Sequence, residues 1–149
     1  MKILAFDPGE TTGWAVVEVG EEEHISYHGG IARTHEEVWY TLENEMDHDT
    51  LLVFESFHLY ANRARAQVNS SFYTVEMIGV INLWGELHNI SCKQQTAQYG
   101  KSIWTDDKLK KFDLWPTGKY ARHTRDALRH ALTATKLHRL KHIRERWHD

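Results

Sequence analysis

The sequence contains a single cysteine, Cys92, which excludes an internal disulfide and any metal site built on a cysteine pair. Proline is scarce as well: Pro8 and Pro116 mark a turn and a break in the chain, and no proline-rich linker or low-complexity stretch is present. No apolar run approaches the roughly 20 residues of a membrane span. The apolar opening at residues 2–6 meets Asp7 before it can form a signal-peptide core, so a soluble, cytoplasmic protein is expected. At 149 residues the chain can bury about two-thirds of its unfolded surface in one core, and it is too short for two ordinary domains.

An excess of positive charge is also missing, since the formal net charge is -3. The distribution matters more than the total. Residues 119–149 carry nine Lys or Arg against three Asp or Glu, a net of +6, and everything before them carries a net of -9. A basic segment joined to an acidic body can supply phosphate affinity whatever the total charge, although a solvated helix surface produces the same count.

What is present reads as an alternation of strands and helices. Residues 2–6 form a continuous apolar strand stopped by Asp7-Pro8-Gly9; residues 13–19 and 24–32 are β-rich and separated by the acidic turn 21–23. Three successive strands imply an antiparallel meander. After Thr34 and His35, the positions Val38, Trp39, Leu42 and Met46 recur at helical spacing, and residues 51–54 return to an apolar strand ending in Glu55. A long helix is expected over 63–87, a fifth strand over 90–95, a short helix capped by Thr105, and one last helix from about 120 towards 147. The fold class is therefore α/β: a mixed five-stranded sheet, a three-strand meander plus parallel strands, flanked by helices. One domain, 1–149, is expected, with a basic helical extension from about 136.

Asp7 and Glu55 each end a buried strand at the edge of the sheet where ligands collect in open α/β folds. Taken singly, Asp7 before Pro-Gly also reads as a turn former and Glu55 as a surface acid. Together on neighbouring strands they would repel, and close carboxylates need a shared proton or a cation; hard oxygen donors select Mg²⁺ or Mn²⁺. His123 and Asp126 lie three apart on the last helix and share a face, while Ala127, Ala131 and Ala134 are small enough to let that helix pack closely. His130, four beyond Asp126, is placed to orient its carboxylate.

Three segments resemble the RuvC-type Holliday-junction resolvases of the ribonuclease-H-like fold. Phe6-Asp7-Pro8-Gly9-Glu10-Thr11-Thr12-Gly13-Trp14 looks like their first strand, Val53-Phe54-Glu55-Ser56 like their second acidic strand, and His123-Thr124-Arg125-Asp126-Ala127-Leu128 like their C-terminal helix motif. The resemblance spans residues 3 to about 135, and the chain's size is similar to versions carried by bacteriophages, acting in the host cytoplasm. It implies a crossover junction endodeoxyribonuclease with two Mg²⁺ or Mn²⁺ ions held by Asp7, Glu55, His123 and Asp126. It also implies a branched-DNA substrate such as a four-way junction, a homodimer paired through the 63–87 helix, and DNA contacts at Lys101 and Lys108. Family members place an aromatic wedge after the second acid, where Phe57, His58 and Tyr60 all compete. Imidazole is softer than carboxylate, so His123 stands either as a ligand or as the group that positions and deprotonates water. Two other readings remain: a catalytically silent junction-binding module, and a nuclease of pre-ribosomal RNA of the YqgF type.

Overall fold

In the computed structural model, which describes residues 1–58 and 64–148 and, of these, 64–71 by their backbone alone, the expected meander is formed by β1 (Lys2–Asp7), β2 (Thr12–Val19) and β3 (Ile25–Ala32). Helix α1 (His35–Glu45) and strand β4 (Thr50–Glu55) follow. Then come α2 (Ala64–Leu87), β5 (Cys92–Gln95), α3 (Ala97–Ile103), α4 (Asp106–Lys111), α5 (Ala121–Thr135) and α6 (Lys141–Arg146). The sheet order is β3-β2-β1-β4-β5, with β1 antiparallel to β2, β2 antiparallel to β3, and the pairs β1–β4 and β4–β5 parallel.

The period of two along β1 divides the core into two layers. Ile3 and Ala5 face α5 with Ala15, Val17, Val53, Leu128 and Leu132, whereas Leu4 and Phe6 face α1 and α2 with Val38, Leu42, Met77 and Ile81. Asp7 is the next residue in the α5-facing series. On β4, Leu51 and Val53 face α5 and Leu52 and Phe54 face away, so Glu55 also falls on the α5 side. The register pairs Phe6 with Phe54, which leaves Asp7 and Glu55 one step beyond, on adjacent strand ends. Alternation alone thus directs both acids to one face.

Helix α5 lies close to that face because small residues meet across it. Ala127 and Ala131 are fully buried against the sheet. A Cβ added to Gly13 would stand 2.0 Å from the His123 carbonyl oxygen, and one added to Gly29 would stand 2.8 Å from Thr124 Cγ2. Thr124 Oγ1 donates to the Gly30 carbonyl at 3.1 Å, pinning the first turn of α5 over β3.

Two elements depart from the sequence expectation. Helix α3 lacks an apolar repeat and carries Gly100 at its centre; it forms because Gly100 fits against α5, where an added Cβ would meet Arg129 Cβ at 3.3 Å. The last helix does not run through to 147. It stops at Thr135, Lys136 takes a left-handed conformation (φ 61°), and Thr135 Oγ1 accepts from the Leu137 N–H at 3.2 Å. The chain then folds back through α6, burying Leu137 and Ile143 and setting Trp147 edge-on to Trp104 with ring centroids 5.6 Å apart.

Candidate active site

The ends of β1 and β4 and the middle of α5 bring three acids together. Burial, with the charges of Glu55 and Asp126 and a hydrogen bond to Glu55 reinforcing it, raises the Asp7 carboxyl to about 8; Lys101 opposes the rise. An acid this perturbed beside two other carboxylates marks a place where negative charge has been concentrated against its own repulsion.

Each of the other two acids is held by a neighbour on α5. His130 is 2% exposed, and its Nε2 lies 2.8 Å from Glu55 Oε2. Gln95, at the end of β5, donates from Nε2 to the His130 carbonyl at 3.2 Å, which turns its Oε1 towards His130 Nδ1 at 2.9 Å. Nδ1 is then the N–H side of the ring, and the bond between Nε2 and Glu55 needs one further proton, carried by ring or carboxyl. Asp126, with a side chain 13% exposed, accepts from Arg129 Nη1 at 2.7 Å. The Arg129 guanidinium also donates from Nε to the Trp104 carbonyl at 2.9 Å and from Nη2 to Asp106 at the start of α4. Consecutive residues of α5 therefore fix two acids, one towards β4 and one towards α4.

This arrangement corrects the role of His130. Its spacing in the sequence assigns it to Asp126, but α5 crosses the sheet so that the residue four beyond Asp126 lies over the end of β4 and reaches Glu55 instead. Sequence reasoning alone misses Arg129 and Gln95. Arg129 has a signal, since it lies three residues after Asp126 on the same helix. Gln95 has none, because its role depends on the register that sets it beside Glu55.

The other residues singled out in the sequence fall as follows. His123 sits one turn before Asp126 on α5, half-buried with its carbonyl against Gly13; no hydrogen bond or ion pair ties its ring to another described residue. Lys101 Nζ is 3.8 Å from Asp126 Oδ2 and half exposed. Lys108 is turned inwards: its ammonium donates to the Ile103 carbonyl at 3.0 Å and sits 3.8 Å above the Trp147 ring, and burial lowers its pKa. Phe57 is half-buried just beyond Glu55, and Tyr60 lies outside the described residues. Among the described residues, no three His, Cys, Asp or Glu side chains converge as they stand on a point that would hold a metal ion. The donor set itself, two carboxylates beside an acid pushed to about 8, suits a hard divalent cation.

No protein-family model matches the chain, and no curated protein matches it in sequence. Its fold is similar to two solved structures from Thermus thermophilus. RuvC in complex with a Holliday junction substrate superposes with a TM-score of 0.69 at 17% identity, over 95% of this chain and 97% of that one. RuvC alone gives 0.67 at 17% identity, over 93% and 96%. The mixed five-stranded sheet is thus the RuvC-like, ribonuclease-H-type arrangement. Among the described residues, no helix is long and apolar enough to cross a membrane.

Proposed function

We propose that the chain is a divalent-metal-dependent endonuclease that cuts branched DNA, with Asp7, Glu55 and Asp126 as its carboxylates. The observation that carries this reading is the gathering of three acids from three separate elements at one sheet edge, where Asp7 is raised to about 8 by its burial and its neighbours. The substrate class is supported by the fold's likeness to a RuvC bound to a Holliday junction. Mg²⁺ or Mn²⁺, two per site, would be held by Asp7, Glu55 and Asp126 with His123, and when bound would supply an activated water and a stabilised leaving 3'-oxygen. The chain's own residues set the stage. Gln95 and His130 aim the Glu55 carboxylate, Arg129 aims Asp126, and Lys101 stands at the open side as a cation for the incoming phosphodiester. Phe57 or Tyr60, the aromatics that follow Glu55 in the chain, would stack on an unpaired base. Two copies paired through α2 would present two sites to the two strands of a near-symmetric junction.

Incubation with a four-way junction, a fork, a linear duplex and a structured RNA, each with and without Mg²⁺ or Mn²⁺, tests the reading. Metal-dependent cleavage confined to branched DNA is expected. Tight junction binding without cleavage in any metal would make the chain a shape-recognition module, and RNA cleavage alone would make it an RNA-processing nuclease.

A further inference from the structure

Beside Asp126 lies an open cleft of about 430 Å³ between α5, α3 and the start of α4. Its lining holds four cations, Lys101, Arg122, Arg125 and Arg129, against two anions, Asp106 and Asp126. That balance runs opposite to the net charge of -3 on the whole chain. The two anions face two cations: both are bound by the buried Arg129, and Lys101 lies beside Asp126. Arg122 and Arg125 are therefore left with charge to spare, and Lys101 touches only the outer oxygen of Asp126 at 3.8 Å.

The arginines form a stripe. Arg122, Arg125 and Arg129 follow one another at three- and four-residue intervals on α5, while Thr124, Ala127, Leu128 and Ala131 face the sheet. Arg125 is held rigidly: Nη1 donates to the Pro116 carbonyl at 3.2 Å and the guanidinium lies 4.3 Å from the Trp115 ring centre. Most of its five N–H donors stay free in a fixed plane, the geometry that suits two oxygens of one phosphate. Arg122 is exposed and makes no hydrogen bond or ion pair with another described residue. A stripe of solvated charge would not need one guanidinium locked over an indole and a second buried beneath it.

We infer that this cleft seats a backbone phosphate of the DNA strand adjoining the one that is cut, with Arg122 and Arg125 as its ligands and Lys101 between the two phosphates. The inference rests on the nuclease reading above and adds the side from which the strand enters, along the first two turns of α5.

Junction binding by fluorescence anisotropy in EDTA, titrated from low to moderate salt, reads this without cleavage. Arg122→Gln and Arg125→Gln should each raise Kd about three- to tenfold and flatten the slope of log K against log salt by about 0.9 for each phosphate no longer neutralised. A neutral methylphosphonate walked along the strand should weaken wild-type binding at one position within a few nucleotides of the cut, and should add nothing there in the double variant. The cleft is refuted if both variants melt as wild type yet keep its Kd and slope, or if the methylphosphonate effect and the substitutions add at every position. Should Arg125→Gln lose its fold through the Trp115 contact, Arg122→Gln alone decides, since Arg122 makes no bond within the described protein on which folding could depend. A wild type that neither binds nor cuts branched DNA removes the nuclease reading and the cleft together; one that cuts while both variants bind normally removes only the cleft.

Discussion

Asp7 completes the inward-facing series of β1 after Ile3 and Ala5, so the pleat that builds the core also delivers an acid into it. Its carboxyl, raised to about 8, is protonated in the folded chain at pH values where the unfolded chain, titrating near 3.8, is ionised. The stability this contributes is present below about pH 4 and is lost as pH rises towards 8. Metal-free protein should therefore melt at progressively lower temperature between pH 5 and 8, and Asp7→Asn should flatten that decline. The gain at pH 8 should be about 2 to 4 °C for each kcal/mol of repulsion relieved. The same substitution should abolish cleavage and leave junction binding intact, because it removes charge from the acids and none from Lys101, Arg122 or Arg125. Cleavage near the wild-type rate in saturating Mn²⁺ would make Asp7 a turn residue only. Arg129 carries the opposite logic. With a side chain 8% exposed between Asp126 and Asp106, its replacement by Met leaves two acids facing one another and should cost about 3 kcal/mol or more in urea unfolding, with Arg129→Lys recovering part of it. A loss below about 1 kcal/mol would show that solvent already screens the pair.

At the scale of elements, α5 sits where it does because β2 and β3 present glycine beneath it. Gly13→Ala would place a methyl group 2.0 Å from the His123 carbonyl oxygen, a backbone atom that yields only if α5 moves. About 2 kcal/mol of stability should be lost, and cleavage more completely than binding, since moving α5 displaces Asp126 from Asp7. Unchanged stability together with full activity would mean that α5 has slack over β2. The strands are legible in the sequence because their signals are local: apolar runs closed by Pro8-Gly9 and by Gly20, and an acid ending each of two central strands. Asp7 and Glu55 can be read for the same reason, whereas Asp126 is read from the resemblance of its helix segment at 123–128. The partners of Glu55 cannot, because which α5 residue reaches β4 depends on how the helix crosses the sheet, and that angle is set by contacts such as Thr124 with Gly30. The break at Lys136 is hidden too. Helical propensity continues through the basic segment, and burial of Leu137, Ile143 and Trp147 against the α5 layer overrides it.

The whole molecule leaves one face unaccounted for by its own core. Met77, Ile81 and Trp84 of α2 turn to the sheet, yet Phe72 is 63% exposed, Val75 52%, Leu83 51% and Leu87 63%. Phe72, Val75, Leu83 and Leu87 share the outer side of α2 and form a band of exposed apolar side chains that the exposed acids Glu76 and Glu86 interrupt. Apolar area of this kind on a helix is more than scattered single residues explain, and a second copy related by a two-fold axis would cover band with band. That assembly would also give a four-way junction two sites, so assembly and activity become coupled. Light scattering should accordingly report a dimer mass for the free protein or on addition of junction DNA. Leu83→Glu, at an exposed position outside the core layer of its own chain, should yield a monomer that melts within about 0.5 kcal/mol of wild type once dimer dissociation is allowed for. On a junction, that monomer should nick one strand without the paired second cut. A wild type that stays monomeric at high concentration and with junction DNA would remove the dimer, and the exposed band of α2 would then have to be explained by a different partner.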